Sequence, residues 1–282
     1  MQFPIIDAHQ HFWKYNHIRD SWITEEMQVL RKDYLPAEIE TIYEHNQISG
    51  SVAIQADASE NENEFLLDLM DKFPFILGVV GWVDLLSEQL EERLKYYQQF
   101  PGIKGFRHLL QGEKQRDMML SPDFQKGISI LNKYGYSFDL LVLADQLGFT
   151  EELVAAFPDQ RFVIDHLAKP NIKHGIISEW KIAMKKFASF QNVYCKISGM
   201  VTEADLEYWE NDDFLPYIDA VLETFGTKRI MFGSDWPVCV QAGDFEEMKQ
   251  IADDYFNSFS LTERSDFFGG NANVFYQLNQ NI

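Results

Sequence analysis

Cysteine is nearly absent from this chain, which has only Cys195 and Cys239 among its 282 residues. Two cysteines cannot build the disulfide framework of a small secreted domain, and their spacing does not match a cysteine-based metal site. A reducing compartment is the simpler setting for such a chain. We therefore expect a cytoplasmic protein.

Positive charge and long apolar runs are also scarce. The chain has 24 lysines and arginines against 44 aspartates and glutamates, so its formal charge is −20. Such a surface repels phosphate backbones and anionic lipids, which excludes nucleic acid and membrane surfaces as expected partners. Asp7, His9 and His11 interrupt the apolar N-terminal run. We therefore expect neither a signal peptide nor a membrane-spanning segment.

A glycine-rich phosphate loop is missing after the first predicted strand, although apolar residues are plentiful, at 46% of the chain. Its absence removes the usual reason to expect an open, doubly wound sheet. Short β-branched or aromatic runs instead alternate with helical stretches, as in parallel βα units. The predicted strands are Pro4–His9, Gly50–Gln55, Ile76–Val83, Ile103–His108, Tyr136–Val142, Arg161–His166, Asn192–Ile197 and Arg229–Ser234.

Eight helices follow these eight strands, a pairing that predicts a closed (β/α)8 TIM-type barrel. No linker or repeat is visible, so a single domain is expected over residues 1–282. Pro36 is expected at the first position of its helix, and Thr150 and Asp244 are expected to cap theirs. The predicted helices are Pro36–Asn46, Glu62–Lys72, Glu88–Gln99, Phe124–Lys133, Thr150–Phe157, Glu179–Phe187, Phe214–Phe225 and Asp244–Phe256.

Two histidines end the first predicted strand, at the barrel face where catalytic groups normally lie. His9 and His11 are two residues apart, so both imidazoles should point to the same side as Asp7, which can be the barrel interior. Two neutral imidazoles on one face are a natural start for a zinc or other divalent metal site. A pair of structural histidines hydrogen-bonded in the first turn is the alternative.

Asp235 and His166 follow two other apolar strands. Asp235, just after the last strand, would adjoin the histidines of the first strand once a barrel closes, although a turn or cap aspartate is equally common there. His166 could be a third ligand, a proton donor or a solvated loop residue. Alternation does not decide whether Asp165 or His166 faces inward. Barrel closure is what would combine these separate signals into one site.

Further basic and aromatic residues could hold a substrate, although each is more often structural when judged alone. Arg107 and His108, which end the fourth strand, are candidates for gripping a carbonyl or ring hydroxyls. Lys169 and Lys196 are further candidates for holding substrate oxygens. Tryptophans that could stack on a sugar ring are Trp22, Trp82 and Trp236.

Taken together, these motifs resemble the amidohydrolase-2 family of the amidohydrolase superfamily, and in particular its branch of sugar-lactone hydrolases. That branch acts on fuconolactone, rhamnonolactone and galactonolactone. The resemblance runs almost from end to end and preserves the order of the motifs. The matching segments are Ile6–Trp13, Gly78–Leu85, Lys104–His108, Phe138–Leu141, Ile164–Pro170, Tyr194–Gly199, Phe232–Pro237 and Gly269–Ala272.

The resemblance implies a hydrolase acting on carboxylic ester bonds of small sugar lactones. It implies that His9, His11 and His166 are site histidines, and that Asp235 handles the attacking water. With Asp235 as a further metal ligand, the site would hold one divalent metal, with zinc expected but not strictly required. The fourth strand ends without a bridging lysine or glutamate, and the fifth lacks a metal-type histidine, so a binuclear site is not expected.

Two other readings of the sequence remain open. A metal-dependent decarboxylase or hydratase on the same barrel would act on a carboxylated aromatic or dienoate substrate. It would need several inward basic groups, and Arg107, Lys169 and Lys196 could serve. A binding protein that has lost its chemistry is disfavoured, because His9 and the other expected site residues are intact. Neither the sugar, the lactone ring size nor the oligomeric state follows from the sequence.

Overall fold

The computed structural model describes residues 3–280 and contains one eight-stranded parallel sheet. The strands pair in chain order, from β1 with β2 through to β7 with β8. The predicted barrel of alternating strands and helices is therefore confirmed. The strands are β1 Ile5–Gln10, β2 Ile48–Ile54, β3 Ile76–Gly81, β4 Ile103–His108, β5 Ser137–Leu140, β6 Phe162–Ile164, β7 Val193–Ile197 and β8 Ile230–Phe232.

The helices cover the outside of the sheet, and among residues 3–280 none is long and apolar enough to cross a membrane. Pro36 begins the first helix and the Asp244 carboxylate caps another, as predicted. The α-helices are α1 Pro36–Asn46, α2 Glu60–Lys72, α3 Leu90–Tyr97, α4 Pro122–Lys133, α5 Leu147–Ala156, α6 Ser178–Lys185, α7 Asn211–Phe225, α8 Phe245–Phe256, α9 Leu261–Ser265 and α10 Asn271–Tyr276.

Several predicted boundaries were wrong. Thr150 lies inside α5, where its hydroxyl donates to the Gln146 carbonyl 2.9 Å away, so it does not cap the helix. The predicted strands at Tyr136–Val142 and Arg229–Ser234 were too long. Residues at their carboxyl ends leave the sheet for the loops above it, and Leu141 and Val142 do so although they continue the apolar pattern that marks a strand.

The barrel interior has an apolar lower half. Ile6, Val52, Val80, Val163 and Met231 come from five different strands and pack together at no more than 1% exposure. Strands on opposite sides of a barrel can contact one another only through its interior. The C-terminal α10 closes this end of the barrel, since its aromatic residues belong to the same cluster. Polar groups are therefore confined to the upper half of the interior.

The barrel closes through a short seam between β1 and the segment after β8. The Asp235 amide donates to the His9 carbonyl over 2.8 Å, and the His11 amide donates to the Trp236 carbonyl over 2.7 Å. Gln10 and Trp236 form a parallel bridge at the same point. These bonds hold the end of the last strand beside the end of the first, as closure of a barrel requires.

The buried carboxylate of Asp7 reinforces this seam from the outer side of β1. It accepts hydrogen bonds from the His9 amide at 3.1 Å and from the Ser234 amide at 2.9 Å. It also accepts from the Ser234 hydroxyl at 2.5 Å and from Tyr43 of α1 at 2.9 Å. Burial raises the pKa of Asp7 to about 6, although the hydrogen bonds oppose that shift. One side chain therefore ties together β1, α1 and the segment after β8.

The position of Asp7 corrects the expectation that it shares a side with the two histidines. A register shift in the pairing of β1 with β2 lies between Asp7 and Gln10. Such irregularities interrupt the two-residue alternation of a strand and re-aim its side chains. Asp7 therefore contacts α1, whereas His9 reaches the barrel interior.

Asp7→Ala should lower the free energy of unfolding by about 3 kcal/mol, because four buried donors lose their acceptor. Urea denaturation measures this change, and Asp159→Ala, at an exposed position, is the control. A loss for Asp7→Ala no larger than that of the control would contradict the role assigned to the seam.

Candidate functional site

A cavity of about 390 Å3 opens at the carboxyl ends of the strands. Its lining includes Arg107 of β4 and, from the segments after β1, β6 and β8, His11, His166 and Asp235. This is the barrel face on which catalytic groups of this fold normally lie. The structure therefore brings residues from separate parts of the chain to one cavity.

Three of the predicted site residues form a compact buried group. His9 Nε2 lies 3.2 Å from His11 Nε2, and Asp235 Oδ1 lies 3.5 Å from His11 Nε2 and 3.8 Å from His9 Nε2. One ligand atom from each residue falls within 4.8 Å of the other two. Two imidazoles and one carboxylate are a ligand set that zinc and similar divalent ions accept.

The hydrogen bonding of His11 fits a metal ligand. His11 Nδ1 lies 2.8 Å from the Ile54 carbonyl, which can only accept, so this nitrogen carries a proton. Burial lowers the pKa of His11, although the nearby carboxylate of Asp235 opposes the shift. The neutral ring then turns the lone pair of Nε2 toward Asp235. A protein hydrogen bond on the second ring nitrogen is the usual support of a metal-ligating histidine.

Asp235 is negatively charged in this setting. Burial alone would raise the pKa of its carboxyl, but the neighbouring His166, His11 and Lys169 together lower it. Its backbone has a φ of 57°, a left-handed conformation that is uncommon outside glycine. The seam imposes this conformation, since the Asp235 amide is bonded to the His9 carbonyl. The carboxylate is consequently fixed above the two histidines.

His166 completes the group from the side of β6. It begins a run of four residues with positive φ, His166–Lys169, that turns the chain toward the cavity. Its Nδ1 lies 2.9 Å from Ser198 Oγ, and its Nε2 lies 3.8 Å from Asp235 Oδ1. A Cβ on Gly199 would lie 2.5 Å from His166 Nδ1, so a glycine leaves room for the ring. Burial lowers the pKa of His166 to about 4, which keeps the imidazole neutral.

A buried ionic network lies directly beneath these histidines. Lys196 Nζ lies 2.6 Å from Asp139 Oδ2, 3.0 Å from Asp165 Oδ1 and 3.1 Å from His9 Nδ1. Arg107 Nη1 lies 3.1 Å from Asp165 Oδ2 and 3.3 Å from His9 Nε2. Burial would raise the pKa of Asp165, but Lys196, His9 and Arg107 hold it well below its usual range. The network therefore supports His9 from below with paired charges.

A second possible ligand group shares His9 and consists of His9, Asp165 and His166. Asp165 already faces the cations of Lys196 and Arg107, at 3.0 Å and 3.1 Å. Its charge is therefore already compensated, whereas Asp235 makes no ion pair with a lysine or arginine among residues 3–280. The group that contains His11 and Asp235 is the better site for a single cation.

The predicted substrate-binding residues divide into two sets. Arg107 and Lys169 line the cavity, as does Trp22. His108 faces Glu113 at 2.9 Å and Trp82 lies beside Asn63, so these two residues are not part of the cavity wall. Alternation along a strand does not show which loop will fold over a given side chain.

Sequence reasoning missed Asp139, Gln111 and Glu203 as residues of the site. It left the direction of Asp165 open and expected Lys196 to hold substrate oxygens, whereas Lys196 lies in the buried network. Asp139, Asp165 and Lys196 belong to three successive strand segments, and each is a lone charge in an apolar run. That recurrence was the signal that could have identified a buried network. Gln111 and Glu203, which line the cavity from loops, carry no comparable signal in the sequence.

Lys196→Met should lower the free energy of unfolding by about 3–5 kcal/mol, because it leaves two buried carboxylates without their shared cation. Denaturant unfolding measures the change, and Lys133→Met, on the surface, is the control. The double variant Lys196→Met/Asp139→Asn should recover part of the loss. Equal stability of Lys196→Met and the wild type would rule out a stabilising network.

The comparisons with known proteins agree with this architecture. An L-fucono-1,5-lactonase from Burkholderia multivorans is 37% identical over 97% of this chain and 96% of its own length. A second L-fucono-1,5-lactonase, from Burkholderia ambifaria, is 32% identical over 98% of this chain and 96% of its own length. A solved amidohydrolase from Burkholderia multivorans with bound zinc superposes with a TM-score of 0.94, at 35% identity, over 97% of this chain and 99% of that one.

The family expected from the motifs is therefore confirmed. The family model described as Amidohydrolase matches residues 6–278, which include both ends of the barrel. The match to the family model and the two relatives more than 30% identical to this chain support the same family assignment. This chain belongs to the Amidohydro_2 family of amidohydrolases.

Proposed function

We propose that this chain opens small sugar-acid lactones, such as fucono-, rhamnono- or galactonolactone, by attack of water on the lactone carbonyl. The observation that carries the proposal is the buried group of His9, His11 and Asp235 at a cavity of about 390 Å3. The chain that contains it is 37% identical to an L-fucono-1,5-lactonase over most of its length. Such a group suits hydrolysis of an activated cyclic ester.

The cavity wall suits an uncharged ring that carries hydroxyl groups. Trp22, Met27 and Leu206 provide an apolar surface, while Gln111 and Gln241 provide hydrogen-bonding groups. Its volume lies within the range of about 300–1,000 Å3 that is typical of small-molecule sites. An apolar wall beside a few polar groups matches the C–H face and the hydroxyl edge of a sugar lactone.

Charge pairing in the wall argues against a carboxylated substrate, as a decarboxylase or hydratase would need. The lysine and arginine side chains in the lining of the described cavity are Lys169 and Arg107. Lys169 faces Glu203 at 3.6 Å, and Arg107 faces Asp165 at 3.1 Å. Both cations are therefore already opposed by carboxylates, which favours a neutral substrate.

The ligand set fits one divalent cation, for which we propose zinc. His9, His11 and Asp235 would hold it, since their ligand atoms lie within 4.8 Å of one another and His11 Nε2 presents a lone pair. When bound, a zinc ion supplies Lewis acidity, which polarises a carbonyl or lowers the pKa of water. Asp165 of the other possible ligand group is already paired with Lys196 and Arg107, which favours one ion over two.

The chain's own residues carry the proton transfers of the proposed reaction. Asp235 accepts a proton as the water oxygen bonds to the carbonyl carbon. His166, 3.8 Å from that carboxylate, stabilises the resulting oxyanion by hydrogen bonding. The ring C–O bond then breaks, and the ring oxygen takes up the proton that Asp235 received. The product is a hydroxy acid, which releases one proton to neutral solution.

Proton release on a panel of aldonolactones tests the proposed function directly. The protein should rapidly hydrolyse lactones of one stereochemical group, with fucono-, rhamnono- and galactonolactones as the first members. A pH indicator in weak buffer measures the rate. Failure on every lactone, together with turnover of a carboxylated aromatic or dienoate compound, would replace the proposal with the decarboxylase or hydratase alternative.

Asp235→Asn should reduce kcat by about a hundredfold or more, because the amide cannot accept the proton of the attacking water. The substitution keeps the size of the side chain, so thermal unfolding should stay close to that of the wild type. Asp212→Asn, at an exposed position, should leave the rate unchanged. A folded Asp235→Asn protein with normal turnover would exclude Asp235 as the base.

A further inference from the structure

A charged pair forms one wall of the cavity. Lys169 lies at the end of the positive-φ run after β6, and Glu203 ends the short 3-10 helix Val201–Glu203 after β7. Both side chains line the cavity, with about a quarter of each exposed, at 22% and 24%. The pair therefore faces the space above Asp235 and does not lie on the outer surface.

The geometry of this pair leaves acceptor positions on the Glu203 carboxylate without a hydrogen bond. Lys169 Nζ lies 3.6 Å from Glu203 Oε1, which is an ion-pair distance longer than a good hydrogen bond. Within residues 3–280 the Glu203 carboxylate makes this ion pair and no side-chain hydrogen bond of 3.5 Å or less. A carboxylate has about four acceptor positions, so it can receive several donors from a ligand.

The backbone on both sides holds the pair in position. The Lys169 amide donates to the His166 carbonyl over 2.7 Å, and the Glu203 amide donates to the Met200 carbonyl over 3.1 Å. The Glu203 carbonyl also accepts from the Lys173 amide over 2.9 Å. The Glu203 carboxylate therefore extends from a segment whose backbone is held by hydrogen bonds, next to the groups that are proposed to react.

A further acceptor with unused capacity belongs to Gln111, another residue that lines the cavity. The side-chain oxygen of Gln111 is buried and has no hydrogen-bond partner among the described residues. The backbone of Gln111 is fixed, since its amide donates to the Leu141 carbonyl over 2.9 Å. A buried acceptor without a donor is costly unless a ligand or water supplies one. Both unused acceptors therefore call for a ligand that is rich in hydroxyl donors.

We propose that Glu203, with Lys169 as its counter-charge, selects the stereochemistry of the substrate's hydroxyl groups by accepting hydrogen bonds from two neighbouring ring hydroxyls. Gln111 accepts from a further hydroxyl. The inference rests on the proposed lactone hydrolysis and identifies its specificity-determining residue. A substrate with one of the two hydroxyls inverted or missing leaves a partly buried carboxylate without its donor, which a polar site rejects strongly.

The test compares kcat/KM for the best lactone of the panel with that for its deoxy analogue or epimer, in the wild type and in Glu203→Gln. A hydrogen bond to a charged group typically changes a rate ratio by about tenfold to a hundredfold. We expect Glu203→Gln to lose that factor on the best lactone and to change little on the analogue. The selectivity ratio should therefore collapse.

Two further variants keep this test decisive. Glu207→Gln, exposed in the same loop, should keep the wild-type ratio. Glu203→Asp keeps the charge but shortens the side chain, so its selectivity ratio should fall between those of the wild type and Glu203→Gln. Wild-type selectivity in both folded Glu203 variants would overturn the inference while lactone hydrolysis stands. A wild-type protein that hydrolyses no lactone would instead overturn the proposed function.

Discussion

Closure of the barrel between β1 and the segment after β8 is the constraint on which the site depends. The amide of Asp235 donates to the carbonyl of His9, so one backbone hydrogen bond joins the proposed general base to a proposed metal ligand. Asp7 secures the same seam by accepting four hydrogen bonds from buried donors. Opening the seam would therefore separate Asp235 from both histidines at once.

The buried charges beneath the seam determine what the upper half of the interior can hold. Lys196 and Arg107 face Asp139 and Asp165 at distances between 2.6 and 3.1 Å, where water is excluded. A buried carboxylate is tolerated only when a cation compensates it. The network thus neutralises Asp139 and Asp165, whereas Asp235 makes no ion pair with a lysine or arginine among residues 3–280. Asp235 is therefore the carboxylate that is left to attract a single cation.

The spacing of apolar runs along the sequence predicted the architecture well, because each strand is an apolar run and successive runs are separated by a helix. β4 was predicted with its observed bounds, and closure brought His9 and Asp235 together as expected. The same alternation failed for Asp7, since a register shift is set by pairing with β2 and not by the local sequence. The side-chain positions of His108 and Glu203 depend on the loops around them, so no spacing rule could assign them.

The measurement that tests this account most directly is anomalous diffraction at the zinc edge from crystals soaked in zinc. The account predicts one strong peak, coordinated by His9, His11 and Asp235, and its loss in crystals of His11→Ala. A peak between His9, Asp165 and His166, or two peaks of equal height, would contradict it. The first result would mean that Lys196 and Arg107 do not keep a divalent ion away from Asp165, and the second that they do not restrict the site to one ion.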